Sequence, residues 1–143
     1  MGLLTGKRFL FLSEVFDPIG GGGVKAISQH FRRLHDEGAE VTVITLTPKY
    51  VDRDISYPFT IHRILEPVSS IDYTPTKLAN MIYSNMGNNT DKIIDKAKEY
   101  PQEHFHYICG YGSFGALDIN NVFTILKEYF YNAITHIIQY DPP

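Results

Sequence analysis

Cysteine and tryptophan are nearly missing from this sequence, which has a single cysteine, Cys109, and no tryptophan among its 143 residues. One thiol forms neither an internal disulfide nor a cysteine-rich zinc site, so both are excluded. No apolar run approaches the roughly 20 residues that a membrane-spanning helix needs. The run at residues 9–12 is too short for a signal-peptide core, and acidic Glu14 follows closely. These absences predict a soluble, cytoplasmic protein.

A basic surplus is also missing. Thirteen lysines and arginines stand against sixteen acidic residues, which gives a net charge of −3. Proteins that bind nucleic acid usually show the opposite balance or a basic stripe, so no nucleic-acid partner is expected. The hydrophobic fraction of 43% is ordinary for a globular protein. The length fits one domain, residues 1–143.

Short apolar runs alternate with amphipathic stretches along the whole chain. Residues 8–13 are almost continuously apolar, as in strands that are buried on both faces. Residues 24–37 have the apolar spacing of a helix, and Gly38 stands where a helix usually stops. Further strands are predicted at residues 41–46, 60–65, 106–109 and 135–139, and further helices at residues 76–86, 91–100 and 120–131. This alternation predicts an α/β fold, a Rossmann-like, open, mostly parallel sheet with helices on both faces.

Two further breaks are predicted from glycine and asparagine clusters. Residues 87–90 (Gly-Asn-Asn-Thr) are interpreted as a break, with Thr90 capping the next helix. Residues 110–115 (Gly-Tyr-Gly-Ser-Phe-Gly) are interpreted as a glycine-rich turn after the fourth strand.

The strongest motif lies between the first predicted strand and the first predicted helix, and it consists of Gly20, Gly21, Gly22 and Gly23. Glycines at this place let backbone N–H groups approach a phosphate, and the helix N-terminus adds a partial positive charge. Lys25, in the first helical turn, adds a full one. Four glycines in a row cost conformational entropy, which favours a ligand over a simple connection without one.

The glycine spacing matches neither common nucleotide fingerprint. A dinucleotide GxGxxG motif needs a third glycine near position 25, where the chain has Lys25 and Ala26. A P-loop needs glycine before its lysine, and Val24 stands there instead. A classical NAD site and a Walker-type ATPase are therefore both disfavoured.

Residues 8–48 resemble the beginning of the retaining GT4-type glycosyltransferases, which have the GT-B fold. The shared order is an apolar strand, a proline, a glycine turn, an amphipathic helix, and then Gly-x-Glu-Val-x-Val-x-Thr at residues 38–45. Residues 109–117 and 137–142 resemble, more loosely, the ends of that family's fourth and fifth strands.

The resemblance implies one half of a two-domain enzyme. In that family the N-terminal domain holds the acceptor, and the C-terminal domain holds most of the nucleotide sugar. This chain would be the acceptor-side half of an enzyme that moves a sugar from a nucleotide-sugar donor to a hydroxyl of a small molecule, lipid or glycan, with retention and with no metal or other cofactor. Because the chain stops in a loop-like Asp-Pro-Pro, we expect a donor domain or partner subunit to be needed and the isolated chain to be inactive.

The resemblance also implies site residues. The donor diphosphate would lie against Gly20, Gly21, Gly22, Gly23 and Lys25. Family members often have a histidine at the ends of the fourth and fifth strands, where this chain has Cys109 or Tyr111, and Tyr140. Tyr111 and Asp141 are therefore the candidate catalytic residues. The candidate acceptor contacts are Glu14, Asp17, Tyr111, Ser113 and Tyr140.

Two alternatives stay open. The chain could be a stand-alone domain that binds a phosphate or nucleotide ligand without catalysis, and it would then bind such a ligand with no partner present. A third hypothesis is a divergent nucleotide-sugar-modifying enzyme of the dehydrogenase or epimerase kind, whose mark is a Tyr-x-x-x-Lys pair.

Three weaker features of the sequence also suggest ligands or partners. His104 and His106 alternate as metal ligands on a strand do, but no acidic or cysteine partner is evident, so a surface pair is favoured. Lys25 with Arg32 and Arg33 could contact an anionic membrane surface, although acidic residues follow directly. A sheet edge left uncovered could make the chain a homo-oligomer.

Overall fold

The computed structural model describes residues 2–17, 22–53 and 55–139. These residues form five strands and four helices. In chain order the elements are β1 (Arg8–Ser13), α1 (Gly22–Asp36), β2 (Glu40–Thr45), β3 (Thr60–Arg63), α2 (Pro75–Tyr83), α3 (Met86–Ala97), β4 (Tyr107–Gly112), α4 (Ile119–Tyr129) and β5 (Ile134–Gln139).

The five strands form one parallel sheet in the order β3-β2-β1-β4-β5. β1 is central, and its Leu10 lies beside Thr42 of β2 and Ile108 of β4. The chain leaves β1 toward β2 on one side and later returns to β4 on the other. The sheet therefore has a topological switch point between β1 and β4, and open α/β sheets bind ligands outside the carboxyl ends of the strands at such a point.

Helices cover both faces of the sheet, as the alternating pattern predicts. On one face α1 packs against β1 and β2, with the Phe31 ring stacked 4.1 Å from that of Phe11. On the other face α2, α3 and α4 surround Leu10, Leu12 and Ile108. The predicted α/β class, with an open parallel sheet between two helix layers, is confirmed.

The first βαβ unit also matches its predicted boundaries closely. β1 occupies residues 8–13, and α1 ends at Asp36, one residue before its predicted end. Gly38 has a φ of +96°, a backbone conformation that glycine adopts without strain. A Cβ there would lie 2.5 Å from the Thr5 hydroxyl oxygen. The missing side chain of Gly38 therefore also makes room for the N-terminal segment beside the end of α1.

The predicted break at residues 87–90 is wrong, because α3 begins at Met86 and runs through this segment. Asn85 is the N-cap, and its side-chain oxygen accepts from the Asn88 amide at 3.2 Å. Thr90 is not a cap. Its hydroxyl donates to the Met86 carbonyl at 2.8 Å and accepts from the Asp118 amide at 3.0 Å, which ties α3 to the start of α4.

The predicted turn at residues 110–115 is wrong in its first half, because β4 extends to Gly112. Gly110 lies within the strand and under α4, where a Cβ would come within 3.0 Å of the Phe123 ring. Its missing side chain makes room for a helix and is not needed for a turn. The β4–α4 loop begins only at Ser113.

β3 is shorter than predicted and ends at Arg63 rather than at residue 65. The other differences at element ends are a few residues at most. Among the residues that the structure describes, no helix has the length and apolar character that crossing a membrane requires.

Candidate functional site

Glu14 follows β1 directly at the switch point, and its side chain is buried, with 1% of the residue exposed. Its backbone amide donates to the Tyr111 carbonyl at 3.1 Å, which extends the pairing of β1 with β4 by one step. Gly112 leaves room for it, since a Cβ at that position would lie 2.9 Å from the Glu14 Cβ.

The Glu14 carboxylate accepts three hydrogen bonds from two other segments. The Tyr83 hydroxyl donates to Oε1 at 3.0 Å and the Ser113 hydroxyl at 3.2 Å, while the Ala116 amide donates to Oε2 at 3.1 Å. Burial and the adjacent Glu14 charge raise the pKa of Tyr83. Glu14 thus fixes the β4–α4 loop and the end of α2. An acceptor contact by Glu14 or Ser113 stays a prediction.

Tyr111 lies near the carboxyl end of β4 but packs toward α1. Its ring centroid is 5.8 Å from those of Phe11 and Phe31, and 8% of the residue is exposed. Burial, with a smaller effect from Cys109, raises the pKa of Tyr111 to about 12. At neutral pH its hydroxyl therefore stays protonated and does not act as a base. Its catalytic role stays a prediction.

Cys109 is half-buried on the same strand, and burial raises the pKa of its thiol. A thiol with a raised pKa is a poor nucleophile near neutral pH. Both features fit a small packing residue better than a nucleophile.

Asp17, in the β1–α1 loop, is held by two residues that the sequence did not single out. The Tyr57 hydroxyl donates to Asp17 Oδ2 at 2.6 Å, and Arg63 Nη1 donates to the Asp17 carbonyl at 2.6 Å and to the Thr47 carbonyl at 3.1 Å. Burial, followed by the bond to Asp17, raises the pKa of Tyr57. No sequence signal pointed to this cluster, because its members come from three separate loops and strand ends.

A polar cavity of about 500 Å3 lies beside the first turns of α1, and we call it the α1 pocket; its lining residues are Asp17, Val24, Lys25, Ser28, Gln29, Arg32 and Tyr57. Lys25 and Arg32 are exposed cations two helical turns apart, on one face of α1. The Arg32 guanidinium lies 4.9 Å from the Tyr57 ring centroid. Lys25, in the amino-terminal turn of α1, and Arg32, two turns further along the same face, give the pocket two positive charges that suit a phosphate group.

The glycine motif is described only in part. Gly22 and Gly23 begin α1 and thus belong to its amino-terminal turn, with Lys25 following in the same turn. Gly20 and Gly21 lie outside the described residues. The contact of the four glycines with a diphosphate stays a prediction.

A second cavity, of about 410 Å3, lies at the carboxyl ends of β4 and β5, and we call it the β4–β5 pocket; its lining includes Met86, Ser113, Phe114, Leu117, Asp118, Ile119 and Ile137. Phe114 has a φ of +62°, which is uncommon for a residue other than glycine and is often found at functional sites. Tyr140 and Asp141, which follow β5, lie outside the described residues.

His104 and His106 do not act as a pair. His104 Nε2 lies 2.6 Å from Glu40 Oε2, whereas Nδ1 of His106 accepts from the Arg8 amide at 3.0 Å. In residues 2–17, 22–53 and 55–139, no three histidine, cysteine or acidic side chains form a group that could hold a metal ion.

A Tyr-x-x-x-Lys spacing does occur in the chain, at Tyr73 and Lys77. Tyr73 precedes Thr74, the N-cap of α2, and packs against Val68 and Leu78. The Lys77 ammonium donates to the Asp72 carbonyl at 3.3 Å. The pair therefore straddles a helix start and does not lie along one helix face.

Comparison with known proteins supports the fold alone. No protein-family model matches the chain, and no curated protein matches it. Among solved structures, the C-terminal domain of a hydrogenase from Pyrococcus furiosus aligns with a TM-score of 0.56 and 18% identity, over 93% of this chain and 91% of that one. The two share an α/β architecture, which at this identity carries no information on activity.

Proposed function

We propose that this chain is the N-terminal, acceptor-side domain of a GT-B glycosyltransferase of the GT4 type. Together with a C-terminal donor domain it would transfer a sugar from a nucleotide sugar to an acceptor hydroxyl, with retention of configuration. The single observation that carries the proposal is the α1 pocket, where Lys25 and Arg32 lie beside the helix that follows the central strand of the sheet.

The α1 pocket is suited to the donor diphosphate. Lys25 and Arg32 would neutralise negative charge on the phosphates, and the amino-terminal turn of α1, beginning at Gly22, would add its partial positive charge. In a transfer without an enzyme nucleophile, stabilisation of the leaving phosphate and positioning of the acceptor supply most of the rate. This chain would contribute part of both.

The acceptor would lie in the β4–β5 pocket. Ser113 and Asp118 provide polar groups there, while Met86, Leu117 and Ile137 make much of the wall apolar. An acceptor with an apolar portion, such as a lipid-linked or aromatic alcohol, fits this lining. Asp141 and Tyr140, which follow β5 in sequence and lie outside the described residues, are the proposed catalytic and acceptor-contacting residues.

Inorganic pyrophosphate is the probe for the phosphate half of the site. We expect weak binding by calorimetry, reduced about tenfold in Lys25→Gln and in Arg32→Gln, since each substitution removes one charge-assisted contact. Lys98→Gln is the matched control, because Lys98 is an exposed lysine in the segment after α3. Absent binding, or equal weakening in the control, would contradict the proposed phosphate site.

A transfer assay on the isolated chain tests the claim that it is half of an enzyme. With a panel of nucleotide sugars and simple alcohol acceptors, we expect no turnover, because the donor base and sugar would be held by the other domain. Clear turnover would sink this part of the proposal.

The stand-alone binding domain is the second candidate, and it is favoured by an α1 pocket of about 500 Å3 that this chain lines by itself. It predicts that a nucleotide sugar binds the isolated chain much more tightly than pyrophosphate does. The glycosyltransferase proposal predicts similar, weak affinities for both, so one titration series separates the two.

A further inference from the structure

A third cavity, of about 440 Å3, lies along β3 at one edge of the sheet, and neither proposed pocket accounts for it. We call it the β3 groove. Its walls include the rings of Tyr50, Tyr57 and Phe59 and the apolar side chains of Ile61 and Leu65. A cavity of this size with a mainly aromatic and apolar lining is typical of small-molecule sites.

The charged side chains among the described lining residues of the β3 groove all have one sign. Lys49, Arg53 and Arg63 line it, and none of its described lining residues is acidic. The Arg53 guanidinium lies 5.1 Å from the Tyr50 ring centroid, so one cation already lies over an aromatic wall. An anion is the complementary ligand.

Arg63 is the most informative of the three cations because it is partly buried and immobilised. Its Nη1 donates to the carbonyls of Asp17 and Thr47, and neither ion pair found among the described residues includes it. Burial lowers the pKa of Arg63, while Tyr57 and Asp17 oppose this effect, and a guanidinium stays charged at neutral pH in any case.

The hydrogen bonds of this partly buried charge go to carbonyl groups, and the nearby Asp17 carboxylate, which is bonded to Tyr57, offsets the cost of burial only in part, so a bound anion would stabilise Arg63 further. Among the described residues, Nε and Nη2 of Arg63 have no recorded protein acceptor. These two nitrogens are the donors that a planar carboxylate or a phosphate engages in pairs.

The β3 groove is distinct from the α1 pocket. Tyr57 is the residue that lines both, and its hydroxyl is bonded to Asp17, which lines only the α1 pocket. Tyr57 therefore borders both cavities, with Arg32 lining the α1 pocket and Arg63 lining the β3 groove.

We propose that the β3 groove is a second ligand site, which binds a small aromatic or similarly apolar molecule that carries a phosphate or a carboxylate. Arg63 and Arg53 hold the anionic group, and Tyr50 and Phe59 pack against the apolar part. This site does not depend on the glycosyltransferase assignment, since it uses other residues and another cavity.

Calorimetric titration with phenyl phosphate, benzoate, phenol and inorganic phosphate tests the two halves of the proposed recognition. We expect phenyl phosphate or benzoate to bind at least about tenfold more tightly than phenol and inorganic phosphate, each of which has one half of the ligand. Tighter binding of phenyl phosphate supports the phosphate form of the proposal, and tighter binding of benzoate supports the carboxylate form. Equal affinity for inorganic phosphate, or no binding of either aromatic anion, overturns the proposal.

Substitutions test whether the aromatic anion binds in the β3 groove. Arg53→Gln and Lys49→Gln change exposed side chains and should each weaken the aromatic anion severalfold without loss of folding. Lys98→Gln is the control, because its ammonium lies 5.3 Å from the Tyr129 ring centroid, another cation over a tyrosine. Arg63→Met should weaken binding most, and thermal unfolding shows whether that variant stays folded.

Two results from these variants would contradict binding in the β3 groove. Weakening in Lys25→Gln but not in Arg53→Gln would assign the ligand to the α1 pocket and overturn the proposal. Equal weakening in all variants, Lys98→Gln included, would show general charge attraction and would overturn it as well. Loss of pyrophosphate binding in Lys25→Gln leaves the β3 groove unaffected, so failure of one proposal is distinguishable from failure of the other.

Discussion

At the scale of single residues, the buried Glu14 carboxylate is the feature with the largest expected effect on stability. Three donors converge on its two oxygens, from Tyr83, Ser113 and Ala116. In Glu14→Gln only one oxygen remains, and an amide N–H group would face a donor. We expect a loss of about 1–3 kcal/mol in the free energy of unfolding, measured by urea denaturation.

Two controls separate this effect from general perturbation. Tyr83→Phe removes one of the three bonds and should cost about 1 kcal/mol. Glu66→Gln changes an exposed glutamate and should be neutral to within about 0.5 kcal/mol. If Glu14→Gln were as stable as the unchanged protein, the carboxylate would not be what holds the β4–α4 loop.

Tyr111 gives a prediction about alkaline pH. Its pKa is about 12 in the folded chain, against about 10 in an unfolded one. Above pH 10 the unfolded state loses this proton first, so it binds fewer protons than the folded state and the free energy of unfolding falls as the pH rises toward 12. The stability that the protonated Tyr111 hydroxyl contributes to the folded state is fully present below pH 10.

Tyr111→Phe removes this titration and keeps the ring that packs against Phe11 and Phe31. We expect its free energy of unfolding to fall less between pH 9 and pH 11.5 than that of the unchanged protein, by about 1 kcal/mol. Urea denaturation at both pH values measures the difference. Parallel pH profiles for the two proteins would show that the Tyr111 hydroxyl ionises as freely as in water.

At the scale of elements, Gly110 and Gly87 have opposite roles although both looked like chain breaks. Gly110 lies in β4 under the Phe123 ring, whereas Gly87 lies in the first turn of α3 with open space around it. Gly110→Ala should therefore cost about 1–3 kcal/mol by overpacking. Gly87→Ala should stabilise the chain by about 0.5–1 kcal/mol, because alanine favours a helix.

The Gly110 effect has an internal check. The atoms that the new Cβ would meet belong to the far end of the Phe123 ring, which leucine lacks. The double variant Gly110→Ala with Phe123→Leu should lose less stability than the two single variants added together. Strict additivity would mean that α4 does not rest on Gly110.

These two glycines also show why the elements were only partly predictable. The strands and α1 have continuous apolar or amphipathic patterns, which determine them locally, so their existence and type followed from the sequence. Glycine by itself does not distinguish a helix residue or a packing gap from a turn. At Gly87 the deciding residue is local, since Asn85 caps α3 two positions earlier, whereas at Gly110 it is Phe123, which only the folded chain brings over β4.

At the scale of the whole molecule, the switch point and its neighbourhood were accessible to sequence reasoning, and the lateral cavities were not. The α/β alternation predicts that the loops after the strands meet at the edge of the sheet where the strands have their carboxyl ends. Lys25 lies in α1, the helix that follows the first of these loops. Arg63 and Tyr57 reach Asp17 from positions 46 and 40 residues away along the chain. No spacing rule connects them, because β3 is brought beside β2 only by the sheet order.

The sheet leaves β5 as an edge strand, and this leads to a prediction about assembly. Ile134, with 64% of the residue exposed, and Ile137 belong to β5, which contains no acidic residue, lysine or arginine and has no neighbour on its outer side among the described residues. An exposed apolar edge favours pairing with another chain. We expect concentration-dependent self-association, detected by sedimentation velocity.

Ile134→Lys should weaken that self-association, because a charge on an edge strand opposes edge-to-edge pairing. Ile71→Lys is the matched control, since Ile71 is 85% exposed but lies in the turn before α2. If the edge of β5 is the contact, only the first variant shifts the sedimentation profile toward the monomer. A chain that stays monomeric at every concentration would mean that the exposed isoleucines of β5 do not join two copies. Equal shifts in both variants would mean that self-association comes from general surface hydrophobicity and not from the sheet edge.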